Sequence, residues 1–164
     1  MNLRRLARHL LILPWAVKRA FPPSAMGAIE QAIERSETEH RGEVRFAAEA
    51  ALDMPALFAG QSARERAIEV FPQLGVWDTA ENNGVLIYLL LADRDIEIVA
   101  DRGLNAVQAR EWEAICQSME EALRRGDFQQ AIVAGIEAVS RVLARHFPPR
   151  PADRDELADK PLVL

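Results

Sequence analysis

The amino-acid sequence predicts an α/β domain, specifically a three-layer α/β/α sandwich around a small mixed sheet. Residues 43–50 alternate between apolar and polar side chains, residues 85–91 are uniformly apolar, and residues 96–101 alternate again, so each segment predicts a strand. A helical pattern separates the first two strands, which favours a right-handed crossover and parallel pairing. A short acidic turn separates the second strand from the third, which favours an antiparallel hairpin.

Size, charge and cysteine content narrow the class of protein. The 164 residues suit one domain that can bury a core without disulfides. Cys116 is the single cysteine, and together with the three histidines it offers no spacing typical of a zinc site. Acidic and basic residues are mixed along most of the chain and the formal net charge is −5, so we expect no nucleic-acid partner.

The N-terminal segment, residues 1–21, is basic and apolar. Its apolar run, residues 10–17, is too short to span a bilayer and is followed by positive charge rather than by the small residues of a cleavage site. We therefore predict no cleavable signal, no transmembrane helix and a cytoplasmic location. Two alternatives stay open: the segment forms a short helix that packs on the domain or a partner, or residues 1–20 lie on an anionic membrane surface or a membrane protein.

The α/β domain is predicted to span residues 22–147. Its first helix covers residues 25–39, where apolar side chains recur at helical spacing. Ser62 and Glu65 form a capping box that opens the helix between the first two strands. Residues 148–164 are rich in proline and charge, so we expect a disordered tail.

The hairpin brings together two polar segments that are distant in sequence. A two-residue turn that begins at Asp93 would pair Leu86 with Asp101. The loop before the apolar strand, residues 78–84, would then meet residues 101–105 at one edge of the sheet. We expect a cleft at this meeting point.

The residues of this cleft suggest a chemistry. Asp78 and Asp101 would be carboxylate ligands and Asn82 a neutral ligand, a set of hard oxygens that suits Ca2+ or Mg2+. Arg102 and the N-terminus of a helix expected to begin near Asn105 would suit a phosphate group. The candidate catalytic residues are Asp101 and Arg102, with the cation polarising the phosphoryl oxygens of a phosphomonoester. The same residue types are also typical of loops that only reverse the chain.

Five short segments, taken in order, are similar to the TPM domain family over about residues 24–147. They are residues 74–78, 82–86, 93–98, 101–104 and 125–128. The resemblance implies an α/β/α sandwich with a functional cleft where the loop before the apolar strand meets the end of its hairpin partner. Members include a chloroplast thylakoid protein described as an acid phosphatase, and others described as binding calcium or as accessories of membrane proteins.

Two functions are therefore predicted as alternatives. One is a divalent-cation site with phosphatase-like chemistry at the cleft. The other is a non-enzymatic interaction module, an accessory to a membrane-associated complex, with residues 1–20 as the docking element.

Overall fold

The computed structural model describes residues 3–13, 15–150 and 156–164. The strands are β1 (Glu43–Glu49), β2 (Gly84–Leu90), β3 (Asp95–Ala100) and β4 (Leu162–Val163). The helices are α1 (Leu3–Leu11), α2 (Trp15–Ala20), α3 (Pro23–Glu37), α4 (Met54–Ala59), α5 (Ala63–Gln73), α6 (Ala109–Arg125) and α7 (Phe128–His146), and a 3-10 turn covers Arg102–Leu104. Among the described residues, no helix combines the length and the apolar character needed to cross a bilayer.

The sheet is mixed and lies between two layers of helices, as predicted. Its strand order is β3-β2-β1-β4, with β1 parallel to β2 and β2 antiparallel to β3. Every residue of β2 is buried. Val85, Ile87 and Leu89 face the core formed with α3, α6 and α7, whereas Leu86 and Tyr88 face the core formed with α5. β2 lacks polar alternation because helices cover both of its faces.

The hairpin turn is longer than the sequence predicts. Residues 91–94 form a four-residue turn, in which Arg94 has a φ of 53°. Leu86 therefore pairs with Val99 instead of Asp101. The register differs from the prediction by two residues, so every side chain keeps its predicted face because the side-chain period of a strand is two.

The two terminal segments both pack against the domain. The N-terminal segment forms α1 and α2. Residues 156–164, which the sequence predicts as part of a disordered tail, instead lie along the free edge of β1, where β4 pairs in parallel. The Glu43 carboxylate accepts the backbone N–H groups of Glu156 and Leu157, both at 3.1 Å, so the segment has polar partners that its own composition does not reveal. The part of the predicted tail at residues 151–155 lies outside the described residues.

Candidate functional site

Residues 78–84 and 101–105, which together form the loop cleft, lie against each other at one end of the β2–β3 hairpin. Three hydrogen bonds join the two segments: Asp101 N–H to Gly84 O at 2.9 Å, Gly103 N–H to Asn82 O at 2.8 Å, and Arg102 Nε–H to Asn82 Oδ1 at 2.9 Å. The two segments are in contact despite the register shift, because Asp101 continues the pairing with β2 just beyond the last residue of β3. The two segments are therefore neighbours despite their separation in sequence.

Two close backbone approaches require glycine in the loop cleft. A Cβ at Gly103 would lie 2.5 Å from Asn82 O and 2.6 Å from Glu81 O. A Cβ at Gly84 would lie 2.0 Å from Val76 O. A residue with a Cβ could occupy neither position 84 nor position 103 unless the backbone moved.

The Asp101 carboxylate uses only one of its two oxygens within the protein. Oδ1 accepts the backbone N–H of Arg102 at 2.7 Å and so caps the 3-10 turn. Oδ2 is buried and has no hydrogen-bond partner among the described residues. A buried oxygen without a partner costs about 1–3 kcal/mol, so such an atom is a natural acceptor for a ligand or an ion.

Asn83, which lies in the predicted loop of the cleft but was assigned no role from the sequence, has a similar unpaired oxygen. It is 1% exposed, its N–H donates to Thr79 Oγ1 at 3.0 Å, and its Nδ2 donates to Arg41 O at 2.6 Å. Its Oδ1 has no partner among the described residues. The Asn-Asn-Gly sequence draws attention to this stretch, but only the pairing of β1 with β2 brings residue 41 beside Asn83.

Arg41 is a residue of this region that the sequence analysis missed. Its guanidinium bonds to the Glu81 carboxylate, donates to Pro148 O at 2.8 Å and lies 5.7 Å from the centre of the Phe147 ring. These contacts hold the loop before β2 against the end of α7. No local motif in the sequence marks this arginine, because all of its partners are at least 40 residues away.

The Asp78 side chain is exposed, and its backbone N–H donates to Gly75 O at 2.9 Å. No hydrogen bond within the described part of the chain joins Asp78 to Asn82, Asp101 or Arg102. The prediction that a helix begins near Asn105 is wrong, because Asn105 ends the 3-10 turn and α6 starts at Ala109.

A cavity of about 640 Å3 lies at the opposite end of the parallel strands, where ligands often bind in open α/β sheets. Its polar groups are already paired with one another. The Glu49 carboxylate accepts Tyr88 Oη–H at 2.6 Å and Arg66 nitrogens at 2.9 and 3.2 Å. Burial, and then the hydrogen bond to Glu49, raise the pKa of Tyr88, so the phenol stays protonated and keeps donating.

A third polar region lies between β3 and α6. Burial, followed by repulsion from Glu97 and Glu120, raises the pKa of Asp95 to about 6. Burial also raises the pKa of the neighbouring Cys116 to about 12, so this thiol is not a nucleophile at neutral pH. Across residues 3–13, 15–150 and 156–164, no group of three or more His, Cys, Asp or Glu side chains is placed to hold a metal ion.

The fold and the loop cleft define a class: a small α/β/α domain whose polar loops meet at the end of a buried hairpin. The family model of the TPM domain matches residues 18–142. The chain belongs to the TPM domain family, as the five sequence segments predicted. No curated protein is significantly similar in sequence.

Three solution structures are similar to this chain. The BA42 protein from the psychrophilic bacterium Bizionia argentinensis is 30% identical, with 86% of this chain and 93% of that chain covered and a TM-score of 0.76. The N-terminal domain of a P. gingivalis protein is 15% identical, with 85% and 94% covered and a TM-score of 0.62. The N-terminal domain of the cg2496 protein from Corynebacterium glutamicum is 16% identical, with 74% and 72% covered and a TM-score of 0.54. The last two support the fold alone.

Proposed function

We propose that the loop cleft binds a divalent cation, Ca2+ or Mg2+, together with a phosphate-bearing ligand beside Arg102. The observation that carries this proposal is the buried Oδ2 of Asp101, which has no partner among the described residues. Phosphatase-like chemistry on a phosphomonoester is the activity that this arrangement supports best.

The oxygens of the cleft fit a hard cation. Asp101 offers a carboxylate oxygen, and the Asn82 side-chain oxygen keeps a lone pair beside its hydrogen bond from Arg102. Asp78 is the second carboxylate of the proposed site; because its side chain is exposed, it would reach the cation only from the solvent side. A site with so few carboxylates leaves positions for water and for phosphate oxygens, which is the usual arrangement for Mg2+.

The charges of the cleft favour joint binding of cation and phosphate. The Asp101 carboxylate alone only partly neutralises a divalent ion, and Arg102 adds a positive charge to the cleft, so a phosphate group would strengthen cation binding. Arg102 would hold the phosphate. Its Nε–H donates to Asn82 Oδ1, so the guanidinium lies at the cleft. The bound cation would polarise the phosphoryl oxygens.

Isothermal titration with Mg2+ or Ca2+, in the presence and absence of inorganic phosphate, tests the proposal. Asp101→Asn keeps an oxygen to cap the 3-10 turn but removes the charge, so it should abolish cation binding. Asp53→Asn is the matched control, because Asp53 also acts as a cap, at the start of α4 and outside the cleft, where it accepts Ala56 N–H at 2.9 Å. Arg102→Gln should weaken only the effect of phosphate.

Hydrolysis of para-nitrophenyl phosphate adds the chemical readout. Turnover should require the cation and should fall in Asp101→Asn and Arg102→Gln but not in Asp53→Asn. Equal cation binding in Asp101→Asn and the unsubstituted protein would overturn the site. Cation binding without turnover would retain the site and reject the phosphatase.

The second candidate function is a non-enzymatic interaction module. The observation that favours it is the outward-facing apolar side of α1, whose Leu3, Leu10 and Leu11 are exposed to solvent.

A further inference from the structure

The helix α1 packs on the domain through its polar side. His9 is 5% exposed, and its Nδ1 accepts Leu52 N–H at 3.1 Å. The neutral ring therefore carries its proton on Nε2, which lies 3.1 Å from Asp93 Oδ2. Arg5 and Arg8 donate to the same carboxylate, each at 2.8 Å. The polar residues of α1 are thus used to attach the helix.

The opposite side of α1 and the residues that follow it present large apolar groups to solvent. We call this surface the leucine face; its members, with exposed fractions, are Leu3 (69%), Leu10 (57%), Leu11 (79%), Leu13 (49%) and Trp15 (52%). At about 100° per residue, Leu11 projects roughly opposite His9, and Leu3 and Leu10 project roughly 120° and 100° from it. A helix on the surface of a domain normally has the reverse orientation, with its apolar side buried.

Positive charge surrounds the leucine face. The first 29 residues hold five Lys or Arg and no acidic residue, whereas the rest of the chain holds fifteen Lys or Arg and twenty-five Asp or Glu. Lys18 and Arg19 are exposed on α2, next along the chain. The Arg19 guanidinium lies 6.0 Å from the centre of the Trp15 ring. Arg94 lines a groove with Leu11, Leu13 and Trp15.

We propose that the leucine face binds the surface of an anionic lipid bilayer, with α1 lying in the plane of the interface. Exposed leucines would enter the boundary between head groups and acyl chains, and Lys18 and Arg19 of α2 would contact lipid phosphates. Trp15 has the side chain favoured at that depth. The separation of charge along the chain supports an anionic bilayer as the partner, because a negative surface attracts the first 29 residues and repels the acidic remainder. This binding is independent of the loop cleft.

Co-sedimentation with vesicles of equimolar phosphatidylcholine and phosphatidylglycerol tests the proposal, with pure phosphatidylcholine vesicles as the comparison. The full chain should bind the anionic vesicles, bind pure phosphatidylcholine at least tenfold more weakly, and lose affinity as salt is added. The triple change Leu10→Ser, Leu11→Ser, Trp15→Ser should reduce binding at least tenfold. These side chains are exposed, so the amide spectrum of the remaining domain should be unchanged.

A matched control uses apolar residues of similar exposure elsewhere on the surface. These are Phe58 (61%), Ile68 (50%) and Trp77 (54%), and changing all three to Ser should leave vesicle binding unchanged. A second variant, Lys18→Glu with Arg19→Glu, keeps the leucine face and should still reduce binding to anionic vesicles. An equal loss of vesicle binding in the control triple variant would overturn the proposal, as would equal binding to anionic and to pure phosphatidylcholine vesicles. A dimer in light scattering that the leucine-face triple converts to monomer, without vesicle binding, would identify a second copy as the occupant and also overturn it.

Discussion

The Asp93 contacts and the loop cleft both join polar groups from distant parts of the chain, but they differ in how completely those groups are paired. At Asp93 both carboxylate oxygens accept hydrogen bonds, from Arg5, Arg8 and His9. At Asp101 one oxygen caps a turn and the other has no partner in the described part of the chain. The first arrangement leaves no carboxylate oxygen without a hydrogen bond, whereas the second leaves one. An unpaired carboxylate oxygen therefore distinguishes the candidate site at Asp101 from the structural ion pairs at Asp93.

Electrostatics support the structural role of Asp93. Burial by itself would raise the pKa of this carboxyl, but the bonds from Arg5 and His9 outweigh burial and lower it. The depressed pKa contributes stability that is present above the ordinary value near 3.8 and is lost as pH falls through the folded value.

The largest predicted effect on folding is that of Asp93→Ala. It removes the acceptor for three side chains of α1 and leaves the buried Nε2–H of His9 without an acceptor. We expect the free energy of unfolding to fall by about 2–3 kcal/mol in urea titrations near neutral pH. Hydrogen exchange of the amides in α1 should accelerate at the same time. An unchanged free energy of unfolding would contradict the structural role.

The next largest effect is expected for Gly103→Ala, which tests whether the loop cleft needs close backbone contact. The new Cβ would meet Asn82 O at 2.5 Å, so the two loops must separate. We expect a loss of about 2 kcal/mol, measured by urea unfolding, and weaker cation binding. Gly27→Ala is the control: a Cβ there has no atom within 4 Å, and alanine in a helix should stabilise the protein slightly. Equal effects of the two changes would show that loop contact is unimportant.

The carboxylate of Glu37, which interacts with Glu43 and with Asp159 of the C-terminal segment, makes the stability of the protein depend on pH. Burial, followed by repulsion from Glu43, raises the pKa of Glu37 from 4.5 to about 9. Because the folded state binds this proton more tightly, the contribution to stability is complete below pH 4.5 and is lost as pH rises through about 9.

Glu37→Gln should reduce this pH dependence, since its amide oxygen can still accept Val44 N–H, which lies 3.2 Å from Glu37 Oε1. Between about pH 5 and pH 9 the unsubstituted protein should lose more of its free energy of unfolding than the variant does. Urea unfolding at the two pH values measures the difference. Parallel losses in both proteins would mean that Glu37 does not titrate in this range.

The smallest predicted effect on stability is that of Asp101→Asn, a few tenths of a kcal/mol, because the turn keeps its cap. Thermal unfolding near neutral pH without added cation measures it. A loss as large as that of Asp93→Ala would place Asp101 with the structural carboxylates.

The fold was predictable from the sequence because its signals are local. The Ser62 and Glu65 capping box forms as predicted, and the uniformly apolar β2 is buried on both faces. The hairpin register was not predictable, because the turn contains Asp93, which is held by residues more than 80 positions away. Long-range ion pairs leave no local pattern from which turn length can be inferred.

The candidate site was predictable in part for the same reason. Asn82, Asp101 and Arg102 follow from the hairpin, and hydrogen bonds connect them through Arg102. Whether an oxygen is left unpaired depends on every neighbour, so the sequence could not distinguish buried Asp101 Oδ2 and Asn83 Oδ1 from the exposed side chain of Asp78.

An amide NMR titration of the whole chain with Mg2+ or Ca2+ tests whether the loop cleft is a cation site. We predict that the resonances of residues 78–84 and 101–105 shift together with one affinity, that those around Asp93 do not, and that Asp101→Asn removes the shifts. Shifts confined to the acidic region of Asp95, Glu97 and Glu120, or no shifts at all, would contradict the account.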